Sequence, residues 1–66
     1  MRTEFVIVIK EDGKKNDYCR YGGRKWAEEK YNQLMTVKET RRPNIIVEMY
    51  KEHYIGNSFH DRERLH

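Results

Sequence analysis

Phe5, Val6, Ile7, Val8 and Ile9 follow one another with no polar residue between them. Successive side chains of a strand point to opposite faces, so a strand with one wet face alternates apolar and polar residues. This run does not alternate, so both of its faces must be kept from water. The chain has only 66 residues to do it with. A domain of that size buries about 60% of the surface its unfolded chain exposes. Disulfides, metals or oligomerisation usually supplement so small a core. Cys19 is the sole cysteine, so no internal disulfide can form.

The run defines a first strand over residues 3 to 10, ended by "EDGKK". Its Asp12-Gly13 pair predicts a tight hairpin, because the favoured two-residue turn needs positive φ that Asp and Gly tolerate. "KNDYCRY" is then a more polar second strand, of the kind found at an edge. After Gly22-Gly23, residues Ala27, Tyr31, Leu34 and Met35 recur at helical spacing, which predicts a helix over about Arg24 to Lys38. Pro43 forces it to end. "NIIVEMYKEHYI" is a third strand with Ile45, Val47 and Met49 on one face. Ile46, Glu48, Tyr50, Glu52 and Tyr54 lie on the other. Gly56-Asn57 reads as a turn, and Ser58 to Asp61 has the spacing of a helix N-cap. The expected fold is therefore α+β: a β-hairpin–helix–β-strand (ββαβ) unit with a three-stranded antiparallel sheet of order 2-1-3 and one helix on one face. Residues 1–55 form this single domain, and 56–66 form a C-terminal tail or a short helix.

One helix covers one face. Phe5, Ile7, Ile9, Ile45, Val47 and Met49 are assigned to it, which leaves Val6, Val8, Ile46 and Tyr50 on the other side. Fully burying one Val or Ile stabilises by roughly 1.5–3 kcal/mol, so several such side chains rival the net stability of a small domain. A second copy of the chain is the simplest cover, since two-fold dimers are the commonest oligomers. A homodimer through Val6, Val8, Ile46 and Tyr50 is expected. The plainer alternative is that the tail folds back, with Phe59 and Leu65 as plugs.

No constellation carries catalysis. His53, His60 and His66 are spaced H-x6-H and H-x5-H, which match no common zinc pattern. Cys19 has no His and carboxylate to activate it, and a lone cysteine is more often a small apolar filler. Glu28 and Glu29 are adjacent on a helix and do not share a face. No enzyme activity, cofactor or metal is expected. "RYGGRKWA" places two glycines at a helix start beside Arg24 and Lys25, but it lacks the phosphate-loop patterns and is more often a plain turn.

Charge is unevenly placed: residues 14 to 42 carry nine basic and four acidic side chains. A basic stretch interleaved with aromatics can hold an anionic partner. Arg20, Tyr21, Arg24, Lys25, Trp26, Arg41 and Arg42 are the expected contact residues. No run approaches the ~20 apolar residues of a membrane helix, and no signal peptide is visible. With a single cysteine, a reducing cytoplasmic setting is expected.

In length and pattern, the apolar strand, the "EDGKK" turn, the "GGRKWAEEKYNQL" helix and the "PNIIVEMYKE" strand resemble small uncharacterised proteins encoded by bacteriophages and prophages. The likeness covers about residues 3 to 55. It implies that the chain binds and blocks or modulates a host or defence protein, in a bacterial cytoplasm. The sequence therefore reads first as a non-enzymatic protein-interaction module. The alternative is a small nucleic-acid-binding protein using the same basic and aromatic residues.

Overall fold

A computed structural model of the chain describes residues 2–12 and 14–66, with the side chains of Lys15 and Asn16 left aside. The order is β1 (Arg2–Glu11), β2 (Lys14–Tyr21), α1 (Arg24–Thr40), β3 (Ile45–Ile55) and β4 (Ser58–Arg64). The strands form one sheet of order β2-β1-β3-β4. Every neighbouring pair is antiparallel. Asp12 adopts φ +56° at the β1–β2 turn, the left-handed region that Asp tolerates there; Gly13 lies outside the described residues.

The expected three-stranded sheet is corrected to four strands. Residues 56–66 are neither a tail nor a helix: Gly56 and Asn57 make a turn, with Gly56 at φ +62°, and the chain returns beside β3. The N-cap spacing at Ser58 lost to cross-strand pairing. Asp61 lies opposite His53, Arg62 opposite Glu52 and Glu63 opposite Lys51. Opposite charges facing each other stabilise a strand pair, and β3 offered an unpaired edge. A short isolated helix has neither advantage.

The helix-side core is the one the periodicities define. Phe5, Ile7 and Ile9 from β1, Ile45, Val47 and Met49 from β3, and Ala27 from α1 are buried together. Tyr21, Tyr31, Leu34, Met35 and Leu65 pack around them. Leu65 donates its backbone N–H to Met49 across 2.8 Å, so the segment after β4 does fold back, but onto the helix side. His66 completes that seal by stacking on Tyr31 with ring centroids 4.5 Å apart.

Helix α1 begins at Gly23 without a side-chain cap and runs two residues past the expected end. The backbone N–H groups of Arg41 and Arg42 both donate to the Val37 carbonyl, at 2.8 and 3.0 Å. Lys38 turns back to donate to the carbonyls of Pro43 and Ile45, which fixes the entry to β3. A lysine in the last turn also faces the negative end of the helix dipole.

Candidate functional surface

Among the described residues, no second layer of structure lies over the face of the sheet away from α1. Cross-strand register places Arg20 and Tyr50 on either side of Val6, and Tyr18 and Glu48 on either side of Val8. These neighbours are long, and they close over the valines. Val6 is 3% exposed and Val8 5% within the single chain. Ile46, further along β3, stays 47% exposed. The cover that Val6 and Val8 need is therefore supplied by flanking side chains of the same sheet. The apolar patch that argued for a homodimer through Val6, Val8, Ile46 and Tyr50 reduces to Ile46 and the partly exposed Tyr50.

Two tiers make up this surface. The lower tier is acidic: Glu48 and Glu52 are 7% and 6% exposed. Above them lie cations with much of their side chains in water. Lys10 Nζ sits 2.9 Å from Glu48 Oε1, and Arg64 Nη1 lies 3.4 Å from Glu48 Oε2. Arg20 Nη1 donates to Glu52 Oε1 at 2.8 Å and to the Tyr54 hydroxyl at 3.0 Å. The Tyr54 hydroxyl in turn donates to Glu52 at 2.7 Å, and Tyr50 donates to Glu48 at 3.0 Å. Among the described residues, every buried side-chain nitrogen or oxygen has a partner. That matters because an unpaired buried carboxylate costs far more than a paired one contributes.

The same contacts set the protonation states. Lys10 holds the Glu48 carboxyl below its ordinary range against the opposing effect of burial, with Tyr50 adding to the lowering. Burial pushes the Glu52 carboxyl up, but hydrogen bonds from Tyr54 and Arg20 outweigh it and the net direction is down. The Glu52 hydrogen bond raises the Tyr54 hydroxyl. The Arg20 guanidinium is raised by Glu52 first and Tyr54 second, so it is charged at any physiological pH.

Guanidinium groups also lie over the rings of this face. Arg62 is 4.1 Å from the Tyr50 ring centre, Arg2 4.8 Å from Tyr54 and Arg20 5.4 Å from Tyr18. Phe59 meets Tyr54 edge-on. A shallow cleft of about 130 Å³ opens between Val8, Lys10, Glu48, Tyr50 and Arg62. Arginine and tyrosine held in defined positions are the side chains that dominate binding energy at interfaces.

No family model, curated protein or solved structure matches the chain.

The contact residues expected from sequence do not converge. Arg20 lies on the open face. Tyr21 is on the helix side, packed against the core. Arg24, Lys25 and Trp26 stand exposed at the start of α1, where Trp26 is 65% exposed and its ring lies against Gly23. Arg24 forms an ion pair with Glu28 on the same helix. Arg41 and Arg42 lie beyond the other end of this 17-residue helix, roughly 25 Å away at 1.5 Å per residue. There they line a second cleft of about 240 Å³ with Glu11, Asp12, Pro43, Asn44 and Ile45, and Arg42 is paired to Glu11.

The residues that sequence reasoning missed are Arg2, Lys10, Arg62 and Arg64, together with the carboxylates beneath them. One signal for them was present. Glu48, Tyr50, Glu52 and Tyr54 share a face by simple alternation, and two carboxylates on a covered face require cations opposite. The period-2 charges of Asp61, Arg62, Glu63 and Arg64 were the other half of that signal.

The remaining polar candidates are placed apart. His66 Nε2 lies 3.0 Å from Glu28, His60 sits 4.0 Å from Asp61, and His53 faces Asp61 across the β3–β4 ladder. Among the described residues, no three of His, Cys, Asp and Glu converge on one point. No helix among the described residues is long and apolar enough to cross a membrane.

Proposed function

We propose that the protein is a small non-enzymatic interaction module that occupies an acidic surface on another protein. The observation that carries this reading is the tiering of the open face. Its carboxylates lie beneath and its guanidinium and phenol groups lie on top, so the outer layer is cationic and aromatic. Ion pairs and hydrogen bonds already hold Arg20, Tyr54 and Tyr50, so less side-chain freedom is lost on contact. The phage-type resemblance supports a target in a host or a defence system, blocked by steric occupation.

A second reading rests on the stacked pairs. Arg62 over Tyr50 and Arg2 over Tyr54 are spaced along one sheet face, and base stacking with phosphate neutralisation holds single-stranded nucleic acid in that way. One pair of measurements separates the two. A pull-down with the wild-type chain and with an Arg62→Ala/Arg64→Ala variant should retain a protein on the first bait only. Titration of generic single-stranded oligonucleotide at low salt should show no binding. Oligonucleotide binding that weakens steeply with salt would replace the first reading with the second.

A further inference from the structure

The sheet has two free edges, β2 and β4, and they differ in what a second copy of the chain would meet there. When two antiparallel edges join about a two-fold axis, the axis runs perpendicular to the sheet. Residues directly opposite each other must then lie on the same face, so only registers centred on a residue are allowed. For β4 each such register within its regularly paired stretch, Asp61 to Arg64, is poor. Centring on Asp61 sets Asp61 against itself and His60 against Arg62. Centring on Arg62 sets Arg62 against itself and Asp61 against Glu63. Centring on Glu63 sets Glu63 against itself and Arg62 against Arg64. Like charges directly opposite destabilise a strand pair, so β4 resists its own copy.

Strand β2 offers a register free of that conflict. It pairs regularly with β1 from Asp17 to Tyr21, opposite Ile9 to Phe5; the register breaks between Ile9 and Lys10 at one end, and Gly22 follows at the other. The middle of that regular stretch is Cys19. A two-fold centred there uses all of it. Tyr18 then faces Arg20 of the second copy twice over, Asp17 faces Tyr21 twice over, and Cys19 faces Cys19 on the helix side. No like charges are opposed. Arg20 already lies over the Tyr18 ring within one chain, so the cross-edge pair repeats a contact these side chains make. The helix leaves room, because its core partners come chiefly from β1 and β3.

We infer that β2 is a self-association edge, and that two chains join there, centred on Cys19, into one eight-stranded antiparallel sheet. The axis perpendicular to the sheet puts both open faces on the same side, which doubles the cationic surface presented to a partner. This inference is independent of what that partner is.

Sedimentation equilibrium of the full chain at tens of micromolar tests it. The wild type should show the mass of two chains. Cys19→Lys and Cys19→Asp, each checked for the native fold by circular dichroism, set like charges against each other and should each show the mass of one chain. An equal mixture of the two variants should recover the two-chain mass, because lysine then faces aspartate. A single-chain mass for the wild type overturns the inference without recourse to any variant. A two-chain mass that survives in Cys19→Lys, or folded variants that fail to pair when mixed, overturns it as well.

Discussion

On the helix side of this sheet, Ile7 and Met49 lie beneath α1 and, with Ala27 of that helix, lose all contact with water. On the other side, Val6 and Val8 are almost as well hidden, yet no layer of the described residues covers them. Their cover is a lattice of Arg, Tyr, Glu and Lys side chains rooted in the neighbouring strands. The two faces therefore resist water by different physics. The first relies on close apolar packing, which is lost when volume is removed. The second relies on a charged network in which each group is tolerable only while its partners remain. A strand that is apolar on both faces does not by itself require a partner.

Substitutions on each side can break or sharpen this contrast. The largest effect is expected at Met49, which is fully buried on the helix side. Met49→Ala should cost about 2–5 kcal/mol, measured by urea denaturation, comparable to the whole stability of so small a domain. A loss well below that range would mean that the helix layer is not the principal core.

Glu52 probes the open face. Arg20→Ala takes away the guanidinium that lies 2.8 Å from the buried Glu52 carboxylate and should cost on the order of 1–3 kcal/mol. Replacing Glu52 and Arg20 together by Met should cost less than Arg20→Ala alone, because no buried charge then loses its cation. If the double variant is the less stable of the two, the network is not what closes that face.

Acid should weaken the open face selectively. The carboxyls of Glu48 and Glu52 are both held below their ordinary range. The unfolded chain therefore binds more protons, and stability rises with pH. The contribution of these groups is complete above the unfolded carboxylate pKa of about 4.3 and is lost as pH falls through their lower folded values. The midpoint of thermal unfolding followed from pH 7 downward should drop in the wild type. It should drop less in Glu48→Gln, whose side chain does not titrate. Equal slopes for the two proteins would remove Glu48 as a source of the acid sensitivity.

The smallest effect on folding is expected at Arg62, which lies over the Tyr50 ring at an exposed site. Arg62→Ala should change stability by roughly 0.5–1 kcal/mol. The same substitution should weaken partner capture well beyond that change. Unaltered capture by the Arg62→Ala chain would move the binding surface elsewhere.

Periodicity by itself determined which residues form the helix-side core. Phe5, Ile7, Ile9, Ile45, Val47 and Met49 alternate, and Ala27, Tyr31, Leu34 and Met35 recur at helical spacing, so local geometry alone turns them toward each other. The antiparallel neighbours of β1 follow from the Asp12-Gly13 hairpin signal in the sequence and the helical crossover in the same local way. Only the tertiary structure decided the fate of the other face and of residues 56–66. Whether "SFHDRER" coils or extends depends on the unpaired edge of β3, which lies outside that segment. Whether Val6 and Val8 are bare depends on cross-strand register, which brings Arg20 and Tyr50 beside one and Tyr18 and Glu48 beside the other. Those contacts join residues far apart along the chain, and the spacing of apolar residues along a single strand carries no record of them.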